Sequence, residues 1–173
     1  MGYVYLYTGD SKGKTTSALG LVVRALGHKK KVLLIQFMKE YPDTGECLFT
    51  YPNYEIKQFG NGCNIRKLNE FNIDDIVKAS EGLSYAMNRT LSTKPDLLIL
   101  DEINLAVAIG LLPEELVINT INNLRRSYPS LNIVLTGRYA TKGLIDIADF
   151  ANEVIEIKSP LNINCICDEG IQY

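Results

Sequence analysis

Residues 8–16 read Thr8-Gly9-Asp10-Ser11-Lys12-Gly13-Lys14-Thr15-Thr16, and this stretch decides how the rest of the chain is read. An apolar segment over residues 3–8 runs into it. Beyond Lys14, residues Ala18, Leu19, Val22, Val23 and Leu26 recur at the spacing of one helical face. A strand that turns through glycines into a helix is the context in which Gly-Lys-Thr carries meaning. Successive backbone N–H groups in such a turn form a nest for anions, and the helix start adds unsatisfied donors and a positive dipole end. Lys14 offers a cation to phosphate oxygens, and Thr15 offers a hydroxyl to a magnesium ion. Gly9, Asp10, Ser11, Lys12, Gly13, Lys14, Thr15 and Thr16 are therefore expected to hold a nucleoside triphosphate. The spacing departs from the usual pattern, which starts on a glycine: counted back from Gly13, that position is Thr8, and Gly9 follows one place later.

Outward from this loop, short apolar segments alternate with helical patterns. Strands are expected over residues 3–8, 31–37, 54–59, 96–101, 131–136 and 152–157. Helices are expected over residues 14–26, 72–91, 113–126 and 142–149. Asn72 stands as a cap with Asp74 and Asp75 in the first turn, Pro113 as a first helical residue, and Gly27 as a C-terminal cap. Lys94-Pro95 breaks the chain before the fourth strand. Residues 40–45 read as a loop, residues 61–69 as irregular, and the tail from residue 159 has no clear period. Alternation of this kind predicts a mostly parallel sheet with helices on both faces, an α/β fold in three layers. No linker or repeat divides the chain, so residues 1–173 are expected to form one domain.

The fourth strand ends in Leu97-Leu98-Ile99-Leu100-Asp101-Glu102. Acids at such a strand end serve magnesium beside a phosphate loop, directly or through water. In a hydrolase one acid binds the metal while the other activates water; in a transferase that uses ATP as an electrophile both serve the metal and the leaving group. The residues leave both roles open. Thr136-Gly137-Arg138 follows the fifth strand, which places Arg138 at the same edge of the sheet as the phosphate loop. Arg24 lies on the first helix, facing a base or ribose, or solvent. His28, the one histidine, follows the Gly27 cap, where interaction with the helix end is the plainer role, and it supports no histidine-centred triad.

Composition sets the outer bounds. Apolar residues make up 46% and charged residues 22%, as in a globular protein, and the net charge of −2 gives no sign of nucleic-acid or membrane binding. No apolar run is long enough to span a bilayer, and no secretory signal is expected from the start Met1-Gly2-Tyr3-Val4. Cys47, Cys63, Cys165 and Cys167 are read as reduced thiols of a cytoplasmic protein, and Cys165-x-Cys167 is too isolated to argue for a metal site.

Taken in order, these segments resemble the corrinoid adenosyltransferases of the bacterial cobalamin type, the CobA/CobO/BtuR family. The likeness runs through residues 8–16, Arg24-Ala25-Leu26-Gly27-His28, Val32-Leu33-Leu34-Ile35-Gln36-Phe37 and Gly45-Glu46. It continues through Leu100-Asp101-Glu102, Leu112-Pro113, Thr136-Gly137-Arg138, Asp146-Ile147-Ala148-Asp149 and the closing Glu169-Gly170-Ile171-Gln172-Tyr173. The shortened loop spacing is itself typical of that family. The resemblance implies a P-loop NTPase-like fold of the RecA-like kind. It implies transfer of the 5'-deoxyadenosyl group of ATP to Co(I) of a reduced, cob(I)alamin-type corrinoid, with inorganic triphosphate leaving. It also implies magnesium, a homodimer, and a reductase such as a flavoprotein. Carried over, Asp10 to Thr16 hold the triphosphate with Lys14 as main cation, and Thr15 and Glu102 hold magnesium with Asp101 close by. Lys14, Thr15 and Glu102 then form the catalytic set, with Arg24 and Arg138 on the nucleotide side. Where the family usually carries aromatic residues after its third strand, this chain has Cys63 and Ile65, and it contains no tryptophan. Two other classes stand beside this reading: another P-loop ATPase or phosphotransferase, and an ATP- and corrinoid-binding module without turnover.

Overall fold

A computed structural model describes residues 1–61, 71–158 and 171. Strands β1 (Val4–Thr8), β2 (Val32–Phe37), β3 (Tyr54–Phe59), β4 (Leu97–Asp101), β5 (Asn132–Thr136) and β6 (Phe150–Glu153) form one sheet in the order β3-β2-β4-β5-β1-β6. Every pairing among them is parallel, so all C-terminal ends share one edge. The near-continuous apolar runs explain this, because strands covered on both faces need no polar side. β5 lies between β1 and β4. That insertion separates the strand feeding the phosphate loop from the strand carrying the acids, the RecA-like arrangement.

Two cores sandwich the sheet. On one face α1 (Lys14–Gly27) buries Ala18, Val22 and Leu26 against Val32, Leu34, Leu97, Ile99 and Val134. On the other, α3 (Ile73–Thr93), α4 (Ile103–Ala108), α5 (Glu114–Ser127) and α6 (Lys142–Ile147) cover Leu33, Ile35, Leu98, Leu100, Ile133 and Leu135. Alternate residues of β2, β4 and β5 thus enter opposite cores, as the two-residue period of a strand dictates. The expected cap of α3 forms: the Asn72 side chain accepts from the N–H groups of Asp74 and Asp75, and the Asp75 carboxylate accepts from Asn72 N–H at 2.9 Å.

Several expectations need correction. Gly27 is the last helical residue rather than the left-handed cap; the chain turns later, through His28 to Lys29 at φ 59°. Residues 45–48, read partly as loop, hold the short helix α2 (Gly45–Leu48). The helix α4 escaped pattern reading because Ile103 to Val107 are all buried and show no polar face. The last strand spans Phe150–Glu153, not residues 152–157. It pairs with β1 from Tyr5↔Phe150 to Thr8↔Glu153, and pairing stops where β1 bends into the phosphate loop. Ile155 and Ile157 beyond it are exposed. Cys47 is a free thiol; Cys63, Ile65, Cys165 and Cys167 lie outside the described residues. No helix among the described residues is long and apolar enough to cross a membrane.

Candidate active site

The phosphate loop leaves β1 at the C-terminal edge of the sheet. Gly9 takes φ 103° and Gly13 φ 113°, backbone shapes that side chains rarely adopt. At Gly9 space is as strict as angle: an added Cβ would stand 2.3 Å from the carbonyl oxygen of Val154. The loop is thus pinned against the chain leaving β6, where Val154 N–H donates to Thr8 O at 2.8 Å. α1 begins at Lys14 without a side-chain cap, so its first N–H groups remain for an anion. Lys14 is buried and its Nζ donates to Ser11 O at 2.5 Å. Burial pulls its ammonium below the ordinary lysine range, and Arg138 adds to this against the opposing pull of Glu102.

Asp101 forms the floor of the site. Its carboxylate is fully buried and accepts four bonds. Thr15 Oγ1 and Thr136 Oγ1 donate to Oδ1 at 2.8 and 2.6 Å, while Gln36 Nε2 and Lys39 Nζ donate to Oδ2 at 3.0 and 2.7 Å. Burial alone would raise this carboxyl, but the Lys39 charge and these bonds overcome it and hold Asp101 below the usual range. Thr136 reaches both acids because β5 lies between β1 and β4: its hydroxyl also accepts from Glu102 N–H at 3.0 Å. Asn104 ties the strand ends together, donating toward Tyr7 O and Gly137 O.

Glu102 leaves the strand in the left-handed region, at φ 64°. A strand alternates its side chains between faces, and this turn instead delivers the second acid to the cleft. Burial and then the Asp101 charge push the Glu102 carboxyl up, against the pull of Lys39, Lys14 and Arg138. A second, partly buried carboxylate beside Asp101 is stabilised by a further cation. The Thr15 hydroxyl and the Glu102 carboxylate are hard oxygen donors lining one cleft, a donor set that fits magnesium.

The cleft has a volume of about 640 Å³, enough for a nucleotide. Ser11, Lys12, Gly13, Lys14, Thr15 and Thr16 line one wall, with Leu19 beyond them. Lys39, Tyr41, Thr44, Gly45, Glu46, Glu102, Arg138 and Ile171 complete the lining. The structure therefore brings most of the expected residues together. Gly9 shapes the loop from behind, Asp10 is exposed and acts on Lys14 only through its charge, and Asp101 lies under the lining. Arg24 is exposed on α1, outside the cleft lining, with its charge bearing on Tyr7.

Sequence reading missed Lys39, Gln36 and Thr136 as members of this cluster. Gln36 is fully buried and bridges Asp101 and Glu46, accepting in turn from Gln58 Nε2 at 2.8 Å. A glutamine inside an otherwise apolar strand, Val32-Leu33-Leu34-Ile35-Gln36-Phe37, was the one available signal, since a buried amide demands partners.

The comparisons with known proteins agree with this geometry. The family model described as ATP:corrinoid adenosyltransferase BtuR/CobO/CobP matches residues 1–173. The chain is 31% identical over 175 residues to the corrinoid adenosyltransferase of Pseudomonas aeruginosa, covering 99% of this chain and 84% of that protein. It is 29% identical over 173 residues to the corrinoid adenosyltransferase of Escherichia coli K12, covering 99% and 86%. To the corrinoid adenosyltransferase CobA of Salmonella typhimurium LT2 it is also 29% identical over 173 residues, with 99% and 86% covered. With the phosphate loop, the paired acids and a full-length match in agreement, the chain belongs to the ATP:corrinoid adenosyltransferase family of BtuR, CobO and CobP.

Proposed function

We propose that this protein transfers the 5'-deoxyadenosyl group of ATP to Co(I) of a reduced corrinoid and releases inorganic triphosphate. The observation that carries the reading is the juxtaposition of Thr15, Asp101 and Glu102 at the head of the phosphate loop, in a chain matched by the family over residues 1–173. The Co(I) electron pair forms the bond to C5', and the pair of the breaking C5'–O bond departs with the triphosphate. Such a nucleophile needs no general base. What the protein supplies is position and stabilisation of charge on the leaving group. His28 stands at the far end of α1 from the phosphate loop, in keeping with chemistry that requires no imidazole.

In this reading the loop from Asp10 to Thr16 holds the leaving group, with Lys14 as its main cation and Arg138 approaching from the end of β5. Magnesium held by Thr15 and Glu102, with Asp101 behind them, would neutralise the charge that builds on the triphosphate. Arg24 reaches the nucleotide only if its exposed side chain swings toward the cleft. The family likeness supports a cytoplasmic homodimer supplied with Co(I) by a flavoprotein-type reductase.

The test is product identity. With ATP, magnesium and a chemically reduced corrinoid, the expected products are an alkylated corrinoid and intact triphosphate. Release of phosphate or pyrophosphate would overturn the assignment, and corrinoid-independent phosphate release abolished in Glu102→Gln would establish a hydrolase instead.

A further inference from the structure

Lys39 belongs to none of the motifs that identify the site, yet the chain is shaped to present it. β2 ends at Phe37, and the next residue, Met38, takes φ 60° while its N–H donates to Phe59 O at 2.8 Å. A methionine in the left-handed region is strained. The turn is also clamped from below. A Cβ placed on Gly60 would stand 2.4 Å from both Lys39 N and Met38 C, so the Met38–Lys39 peptide lies directly on a glycine. Backbone strain and a close approach together send Lys39 sideways across the end of β4 rather than onward along β2.

The side chain then does two things at once. Its ammonium sits 2.7 Å from Oδ2 of the fully buried Asp101, while the side chain remains 22% exposed and lines the same cleft as Lys14. A lysine required only to neutralise Asp101 gains nothing from facing the cleft. The other cations there come from elsewhere: Lys12 and Lys14 from the phosphate loop, Arg138 from the end of β5. Lys39 approaches from the remaining side, beyond β2. Meanwhile Asp101 accepts the Thr15 hydroxyl proton, which leaves the lone pairs of that oxygen to serve a metal. An arriving divalent cation supplies the positive charge that Lys39 provides in its absence.

We propose that Lys39 is a further cation of the triphosphate site, stored on Asp101 in the nucleotide-free protein and passed to the phosphate oxygens when ATP and its metal enter. The inference rests on the reading of this cleft as a triphosphate site. A lysine suits such a transfer, being a compact charge on a flexible stem with several donors rather than a fixed fork. The same ammonium then faces the leaving group on which charge accumulates as the C5'–O bond breaks.

The experiment uses the full chain and inorganic triphosphate as probe, with magnesium saturating, and titration calorimetry as readout. Lys39→Met keeps an unbranched apolar stem and removes the ammonium. Triphosphate and ATP are expected to bind about tenfold more weakly, with AMP affinity unchanged. Triphosphate affinity within about twofold of the parent, or an equal loss for AMP, overturns the inference. Because removing one partner of a buried pair can impair folding, the comparison is repeated in an Asp101→Asn background, where the carboxylate hydrogen-bonded to the ammonium is gone. A further loss of about tenfold on adding Lys39→Met supports the transfer; no further loss shows that Lys39 acts only through Asp101 and overturns it. These binding outcomes do not depend on product identity. A protein that releases phosphate yet loses triphosphate affinity in Lys39→Met would refute the adenosyl-transfer reading and leave this inference standing.

Discussion

The phosphate loop and the cluster around Asp101 meet in one cleft but are built on opposite plans. The loop is a single contiguous segment whose anion-binding groups are backbone N–H donors shaped by Gly9 and Gly13. The cluster is assembled from side chains of separated elements: Thr15 of α1, Gln36 of β2, Lys39 beyond it, Asp101 of β4 and Thr136 of β5. A backbone nest depends on local shape, so most of its side chains can vary while the shape survives. A buried carboxylate depends on every donor, because each one lost leaves part of a charge unsatisfied in a medium that cannot solvate it. The loop therefore concentrates its side-chain sensitivity in Lys14 and its backbone sensitivity in Gly9 and Gly13, and the cluster distributes sensitivity over many side chains.

That contrast can be broken at three strengths. Lys14→Ala removes the one side chain on which the loop relies. ATP and triphosphate affinity should fall by about a hundredfold or more, read by calorimetry, with little change in thermal stability. Retained affinity would mean that backbone groups alone suffice. Thr136→Val, next in size, keeps the shape and deletes a donor to Asp101 together with the acceptor for Glu102 N–H. Unfolding stability should drop by about 1–3 kcal/mol, with Thr136→Ser restoring most of it. An unchanged melting temperature would show that the cluster tolerates the loss of a donor.

The smallest effect belongs to a pair outside the cleft. Arg89 holds Glu55 through bonds of 2.8–3.0 Å, and these bonds, assisted by Tyr85 against the opposing effect of burial, keep the Glu55 carboxyl below its ordinary value of 4.5. Because the folded value is depressed, the pair contributes stability at neutral pH, and that contribution disappears as pH falls through the lowered value. Arg89→Gln should therefore open a small stability gap above pH 4.5 that closes on acidification, with ATP affinity unchanged. A gap that widened in acid, or a change in ATP affinity, would tie this edge of the sheet to the cleft.

Much of the fold was legible because the central strands β2, β4 and β5 are largely apolar runs and the long helices carry a period. Asn72 with Asp74 and Asp75 is the clearest instance, where the cap forms as its residue types require. The misreadings share a cause. α4 is buried all round and so shows no periodicity, and the length of β6 is set by where its partner β1 turns away. Gly27 has the composition of a left-handed cap, but Lys29 takes that conformation instead. Within the site, Glu102 was visible from its place beside Asp101. Its entry into the cleft was not, since it depends on a left-handed turn at an ordinary residue.

Sequence alone determined that residues 8–16 form a glycine-bearing turn at the start of a helix, that the strand ending at Asp101 carries two acids, and that the sheet between them is mostly parallel. These follow from local chemistry: glycine where φ must be positive, donors left open at a helix start, apolar runs that need cover on both faces. Only the tertiary structure decided that Thr136 joins the two acids, that Gln36 braces Asp101 against Glu46, and that Lys39 crosses from the end of β2 to share the site. Those contacts depend on strand order and on the meeting of distant turns. The placing of β5 between β1 and β4, and of Gly60 beneath the Met38–Lys39 peptide, fixes them through pairings between residues that are far apart in the chain.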